Sequence, residues 1–324
     1  TVTGEGTVTT SGAASLTANR FYIGLYGTGT LSVADGGTIT ASGVDRKIYL
    51  GNFGGSTGTL TMSGASTTLT AHELNVAWTG NGSMTVSNGA TATLEQDVTL
   101  GKNGYTTGEL TITGTGSSVT SDRLYVGEIG TGTLNVLDGA SYVLTGTSKM
   151  YVGNTFGSTG TVNVDGAGSS ISAVQLAVGW NGEATMTLSN GGATTITGDV
   201  FIGEYGPSTG TLTVTGAGSS LTAVRIYVGN SGAGYLNVLN GGTVATTGTS
   251  KVFFGYTSAG AGHGTVSGAG STLSSGEINV GWNDDGTLTV SNGGAVRSTG
   301  TMTVGYASGG IGSLTVTSGG TVTV

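Results

Sequence analysis

Cysteine is absent from this chain, proline occurs once, and only 8% of the residues are charged. Without cysteine there is no disulfide and no thiolate metal site. The scarcity of charge argues against disorder, which needs high charge and low hydrophobicity, whereas 36% of these residues are apolar. The formal net charge of −8 is spread thinly. It argues against nucleic acid, which requires a concentrated basic patch, so no nucleic-acid partner is expected. No apolar run approaches the roughly 18 residues of a membrane helix, so no membrane insertion by this segment is expected. No secretory signal is visible. The chain starts (Thr1-Val2-Thr3-Gly4) and stops (Thr321 to Val324) in mid-pattern, which reads as a segment of a longer repeat array.

What is abundant is glycine, 66 of 324 residues, together with threonine and a regular scatter of Val, Leu and Ile. A Thr-apolar-Thr-apolar motif recurs, with first apolar residues Val8, Leu31, Leu60, Met84, Leu110, Leu134, Val162, Met186, Leu212, Leu236, Val266, Leu288 and Leu314. The twelve steps from Val8 to Leu314 average 25.5 residues, the fixed period of a solenoid. Each repeat holds three short strand signals. Thr211 to Val214 is one example of the first, Ser220 to Ala223 of the second and Ile226 to Gly229 of the third. Apolar and polar residues alternate in the first and third, the mark of a strand with one buried face. None is long enough for a helix, and Thr, Val and Ile favour strands.

Turn chemistry separates the strands. Asp35-Gly36, Asn88-Gly89, Asp138-Gly139, Asn190-Gly191, Asn240-Gly241 and Asn292-Gly293 tolerate positive φ. The repeats between them use glycine-rich turns such as Gly216-Ala217-Gly218. Three strands and three turns in about 25 residues make one coil. The predicted fold is therefore all-β: a right-handed, three-sided parallel β-helix (solenoid) of about 13 coils. At a strand spacing of roughly 4.8 Å, twelve steps give a rod about 58 Å long. A longer period overlies the first: Trp78, Trp180 and Trp282 are 102 residues apart, as are Arg123 and Arg225, and Lys149 and Lys251. Residues 1–324 thus read as one continuous β-helix built from four-coil superunits of 102 residues.

The segments Gly130 to Val136, Gly210 to Ala223 and Leu124-Tyr125-Val126-Gly127 resemble the repeat in passenger regions of type V secreted autotransporters of Gram-negative bacteria. The likeness spans nearly the whole chain. It implies export, display at the bacterial cell surface, a right-handed β-helix and a role in adhesion or aggregation. The absence of cysteine fits passage through an envelope. The family's membrane barrel and signal peptide have no counterpart in these 324 residues. The expected function is an extracellular structural or adhesive rod, its partners being further copies of itself or a host or extracellular glycan or protein.

The most informative outward column precedes the third strand's first buried residue. It runs Arg20, Lys47, Glu73, Asp97, Arg123, Lys149, Gln175, Asp199, Arg225, Lys251, Glu277 and Thr301. Two positions later on the same face lie Tyr22, Tyr49, Asn75, Thr99, Tyr125, Tyr151, Ala177, Phe201, Tyr227, Phe253, Asn279 and Thr303. Each basic pair therefore sits beside an aromatic pair, every four coils or about 19 Å. The candidate binding residues are Arg20, Tyr22, Lys47, Tyr49, Arg123, Tyr125, Lys149, Tyr151, Arg225, Tyr227, Lys251 and Phe253. A periodic acidic glycan or a partner surface could use them, because exposed aromatics stack on sugars and anchor interfaces. The competing reading is structural: Lys47 beside Glu73 and Asp97 beside Arg123 form a ladder of ion pairs, each worth roughly 0.2–1 kcal/mol.

The first strand carries a hydroxyl column (Thr7, Thr30, Thr59, Ser83, Thr133, Thr161, Thr185, Thr211, Thr265, Thr287, Ser313) broken by Glu109 and Tyr235. Such a Thr-x-Thr face resembles those of ice-binding β-helices, a remote alternative to ordinary β-propensity on a solvated face. The tryptophans are expected to cover a corner or mark a shared loop shape, with a ligand role as the alternative. Catalysis finds no support. His72 and His263 lie about eight coils apart, near 38 Å. Gly54-Gly55-Ser56-Thr57-Gly58 matches a nucleophile elbow without its strand–turn–helix setting. Asp284 and Asp285 lack further calcium ligands. No enzyme, metal site or cofactor is expected.

Overall fold

The computed structural model describes residues 4–43, 45–147 and 149–324. Three parallel sheets run along it. Sheet one has 13 strands, from Glu5–Thr10 to Gly312–Val316, and sheet two has 13, from Ser15–Ala18 to Thr321–Thr323. Sheet three has 12, from Arg20–Ile23 to Met302–Val304. Each strand pairs with its equivalents one coil before and after, so the chain is an all-β solenoid as expected. Among the described residues there is no helix.

The reason lies in the alternation. Leu212 and Val214 of sheet one, Leu221 and Ala223 of sheet two, and Ile226 and Val228 of sheet three all point inward and are fully buried. Each large aliphatic side chain so buried contributes about 1.5–3 kcal/mol. Glycine makes the corner after sheet three possible. Gly229 has φ +70°, and a Cβ on Gly234, where the next strand begins, would lie 2.2 Å from the Gly229 nitrogen. Along most of the rod, sheet three therefore hands the chain to sheet one where backbone meets backbone. The exceptions are Ala77, at φ +69°, and Ala184, which holds the ladder position of Gly234 two coils earlier.

Register departs from the sequence reading in coil 11. Gly264, not Val266, pairs with Leu236 and Leu288, so Val266 fills the second inward position. The missing side chain is replaced from across the core. Phe254 stands where the flanking coils have Val228 and Val280, and a Cβ on Gly264 would lie 2.5 Å from its ring. The hydroxyl column shifts with the register: His263, not Thr265, pairs with Tyr235 and Thr287. Its ring stacks on Tyr235 at 5.0 Å, a third break in the Thr-x-Thr face. Another large core residue, Tyr142, lies between Val119 and Ile171 and shares a 2.8 Å hydrogen bond with Ser121 Oγ. Burial pushes its hydroxyl pKa far up.

The corner between sheets one and two alternates coil by coil. Asp35, Asn88, Asp138, Asn190, Asn240 and Asn292 sit at φ 51–54° and are followed by glycine. The intervening coils carry one more residue, and their turns end in Thr67, Ser117, Ser169, Ser219 and Ser271, all buried. Each of these hydroxyls accepts a hydrogen bond from the glycine N–H of the preceding coil, at 2.9–3.0 Å from Gly36, Gly89, Gly139, Gly191 and Gly241. Four of them also donate to a carbonyl four residues back. The clasp satisfies backbone groups that the turn removes from the ladder.

Candidate functional site

The basic residues of the sheet-three column are committed to ion pairs. Lys47 reaches Glu73 at 3.0 Å and Lys251 reaches Glu277 at 2.7 Å. Arg123 grips Asp97 through two hydrogen bonds of 2.9 and 3.2 Å, and Arg225 grips Asp199 at 2.9 and 2.8 Å. Those bonds raise both guanidinium pKa values. Arg20 pairs with Asp45. Lys149 has a different partner: its ammonium lies 2.8 Å from Glu204, two coils along, and 4.2 Å from the ring centres of both Trp180 and Phe201. This ion pair is largely buried, and burial raises the Glu204 pKa against the lowering effect of Lys149.

The aromatic column stacks as the spacing implies. Tyr22 lies on Tyr49 at 5.1 Å, Tyr125 on Tyr151 at 5.0 Å, and Tyr227 on Phe253 at 5.2 Å, all within 9° of parallel. The tryptophans close each stack edge-on: Trp78 against Tyr49, Trp180 against Tyr151 and Trp282 against Phe253. The 102-residue period is thus a period of aromatic clusters. It does not leave open platforms throughout. Tyr227 and Phe253 are only 8% and 6% exposed, because Phe201 continues the stack below Tyr227 and Tyr256 roofs both. Desolvation raises the hydroxyl pKa of Tyr49, Tyr125, Tyr151 and Tyr227. Of the six aromatic candidates only Tyr22 counts as exposed.

The exposed apolar surface lies one turn further on, where sheet three hands over to sheet one. Tyr26 and Phe53 stack at 4.5 Å in coils 1 and 2. Tyr105, Ile129 and Phe156 project from coils 4, 5 and 6, Tyr205 from coil 8 and Tyr306 from coil 12. Tyr26, Phe156 and Tyr306 are 58%, 75% and 61% exposed. From coil 1 to coil 10 this edge carries three charges, and all are neutralised: Lys102 bonds Glu128 at 2.8 Å, and Glu204 holds Lys149. Glu183 flanks it and, among the described residues, forms no ion pair, and Asp284 and Asp285 lie on it in coil 11. The third-turn loops all open on a positive-φ residue, glycine in every coil but that of Ala77, but they differ in length and fix no residue at the exposed positions, so only the tryptophan spacing hinted at them.

No family model matches the sequence, and no curated protein matches it. Among solved structures, it is similar to the crystal structure of a TibC-catalysed hyper-glycosylated fragment of TibA, residues 55–350. That similarity covers 99% of this chain and 100% of the other, at 16% identity and a TM-score of 0.35.

Proposed function

We propose that the chain is an extracellular adhesive rod, a β-helix passenger segment of an autotransporter displayed at a bacterial surface, that attaches cells to one another or to a host surface. One observation carries this reading: a single edge of the solenoid presents large exposed apolar side chains in coils 1, 2, 4, 5, 6, 8 and 12, with its charges neutralised through coil 10. Monomeric proteins seldom leave such a row uncovered, and rows of this kind mark interaction sites. Contact would be distributed over many coils, each contributing little, and the reading assigns no catalytic role.

Carbohydrate binding by the Arg/Lys–aromatic clusters is the second reading, favoured by their recurrence every four coils. It is the weaker one, because the basic groups are paired and the ring faces are used on each other. Cells displaying the rod are expected to settle and adhere faster than cells without it. Equal behaviour of the two would sink the first reading. Hits on an acidic-glycan array that disappear with Tyr125→Ala and Tyr151→Ala would favour the second.

A further inference from the structure

Four Asn-Gly pairs stand at the same corner of the solenoid: Asn88-Gly89, Asn190-Gly191, Asn240-Gly241 and Asn292-Gly293. Such a pair can modify itself. The glycine backbone nitrogen attacks the asparagine side-chain carbonyl carbon, forming a new N–Cγ bond. The Cγ–Nδ2 bond breaks, and ammonia leaves with the proton given up by the nitrogen. The cyclic imide then takes up one water, which opens it to an aspartyl or an isoaspartyl linkage. Glycine permits the approach because no Cβ obstructs it. The nitrogen must first be free to lose its proton.

In three of the four pairs that proton is engaged. The N–H of Gly89 donates to Ser117 Oγ at 2.9 Å, Gly191 to Ser219 Oγ at 3.0 Å and Gly241 to Ser271 Oγ at 3.0 Å. The fourth differs. Coil 13 has the short turn Ser318-Gly319-Gly320 in place of the longer turn that ends in a buried serine. Among the described residues no acceptor bonds Gly293 N–H, and Gly293 is exposed whereas the other three glycines are half-buried. The asparagine side chains do not explain a difference. All four donate to the preceding coil, Asn292 to Ser267 Oγ at 3.0 Å and the others over 2.6–3.3 Å.

We infer that Asn292-Gly293 is a self-modification site of this rod, and that the serine clasp keeps its three counterparts intact. The product gains a negative charge, and the isoaspartyl form adds a backbone carbon to a turn that must stack on Gly268 and Ser318. Coils 12 and 13 would lose their register first. A neutral hydrogen bond is worth about 1 kcal/mol and 1.4 kcal/mol is a factor of ten, so losing one hydrogen bond corresponds to a rate gain of roughly five- to tenfold.

The test is peptide mapping by mass spectrometry of the whole chain aged in warm, mildly alkaline buffer. Asn292 is expected to convert about five- to tenfold faster than Asn88, Asn190 and Asn240. In Ser219→Ala, Asn190 should accelerate by a similar factor while Asn88 and Asn240 keep their rates. Equal rates at all four sites, or an unchanged Asn190 in Ser219→Ala, would overturn the inference. If Ser219→Ala accelerates every site by unfolding, amide hydrogen exchange on the unaltered protein decides. Gly293 exchanging faster than Gly89, Gly191 and Gly241 supports the clasp, and equal exchange refutes it.

Discussion

Gly264 and Phe254 form a compensating pair. Everywhere else along sheet one the first inward position is aliphatic, and a large ring facing it would not fit. With Gly264 the ring of Phe254 occupies the vacated volume, in contact distance of where a Cβ would be. Phe254→Val alone opens a cavity. Gly264→Leu alone overpacks the coil and is expected to cost about 1–3 kcal/mol. The double change restores the Leu-and-Val arrangement of the flanking coils, and its stability should return to within roughly 1.5 kcal/mol of the unaltered rod. Urea unfolding midpoints of the four proteins check this. Additive losses would show that the two sites do not couple.

Among the elements, the sheet-three ladder shows what an ion pair does at two depths. Lys47–Glu73 and Arg123–Asp97 are part-exposed neighbours in adjacent coils, each contributing about 1 kcal/mol or less. Lys149–Glu204 is buried beneath Trp180 and Phe201, and removing one partner of such a pair costs about 3–5 kcal/mol. Lys149→Met therefore has a signed pH dependence. Glu204 already has a raised pKa from desolvation, and losing the lysine removes the influences that lower it. A carboxyl with a raised folded-state pKa is most favourable below its unfolded value and loses stability as pH rises through the folded one. The variant's deficit in thermal midpoint should be small at acid pH and grow toward neutrality. A deficit independent of pH would show that the lysine acts only through packing.

The strand ladder was legible in the sequence because alternation and a two-residue offset fix which side chains share a face. The Lys47–Glu73 and Arg123–Asp97 neighbours followed from that alone. Glu204 was not legible as the partner of Lys149, since it lies in a turn two coils along and its reach depends on loop path. The register of coil 11 misled for a related reason: Gly264 leaves no apolar mark, and the Thr-apolar alternation looks the same when displaced by two residues. The exposed edge stayed hidden because third turns vary in length, and an exposed tyrosine and a stacked one are the same letter.

At the scale of the molecule, each coil packs chiefly on its nearest neighbours, with contacts such as Lys149–Glu204 reaching one coil further, so the rod's stability is close to a sum of coil and interface terms. Adhesion through one edge would share that additive character. No single side chain would be indispensable, and neutralising a stretch of the edge would weaken attachment in proportion. Beads coated with the rod and followed by light scattering test this directly. Tyr105→Ser, Phe156→Ser and Tyr205→Ser combined are expected to slow bead clustering severalfold, while Lys47→Ala and Lys251→Ala on the strand-three column leave it within error. Clustering that is insensitive to the edge, or that depends on the strand-three lysines instead, would contradict the assignment of the adhesive surface to the third turn.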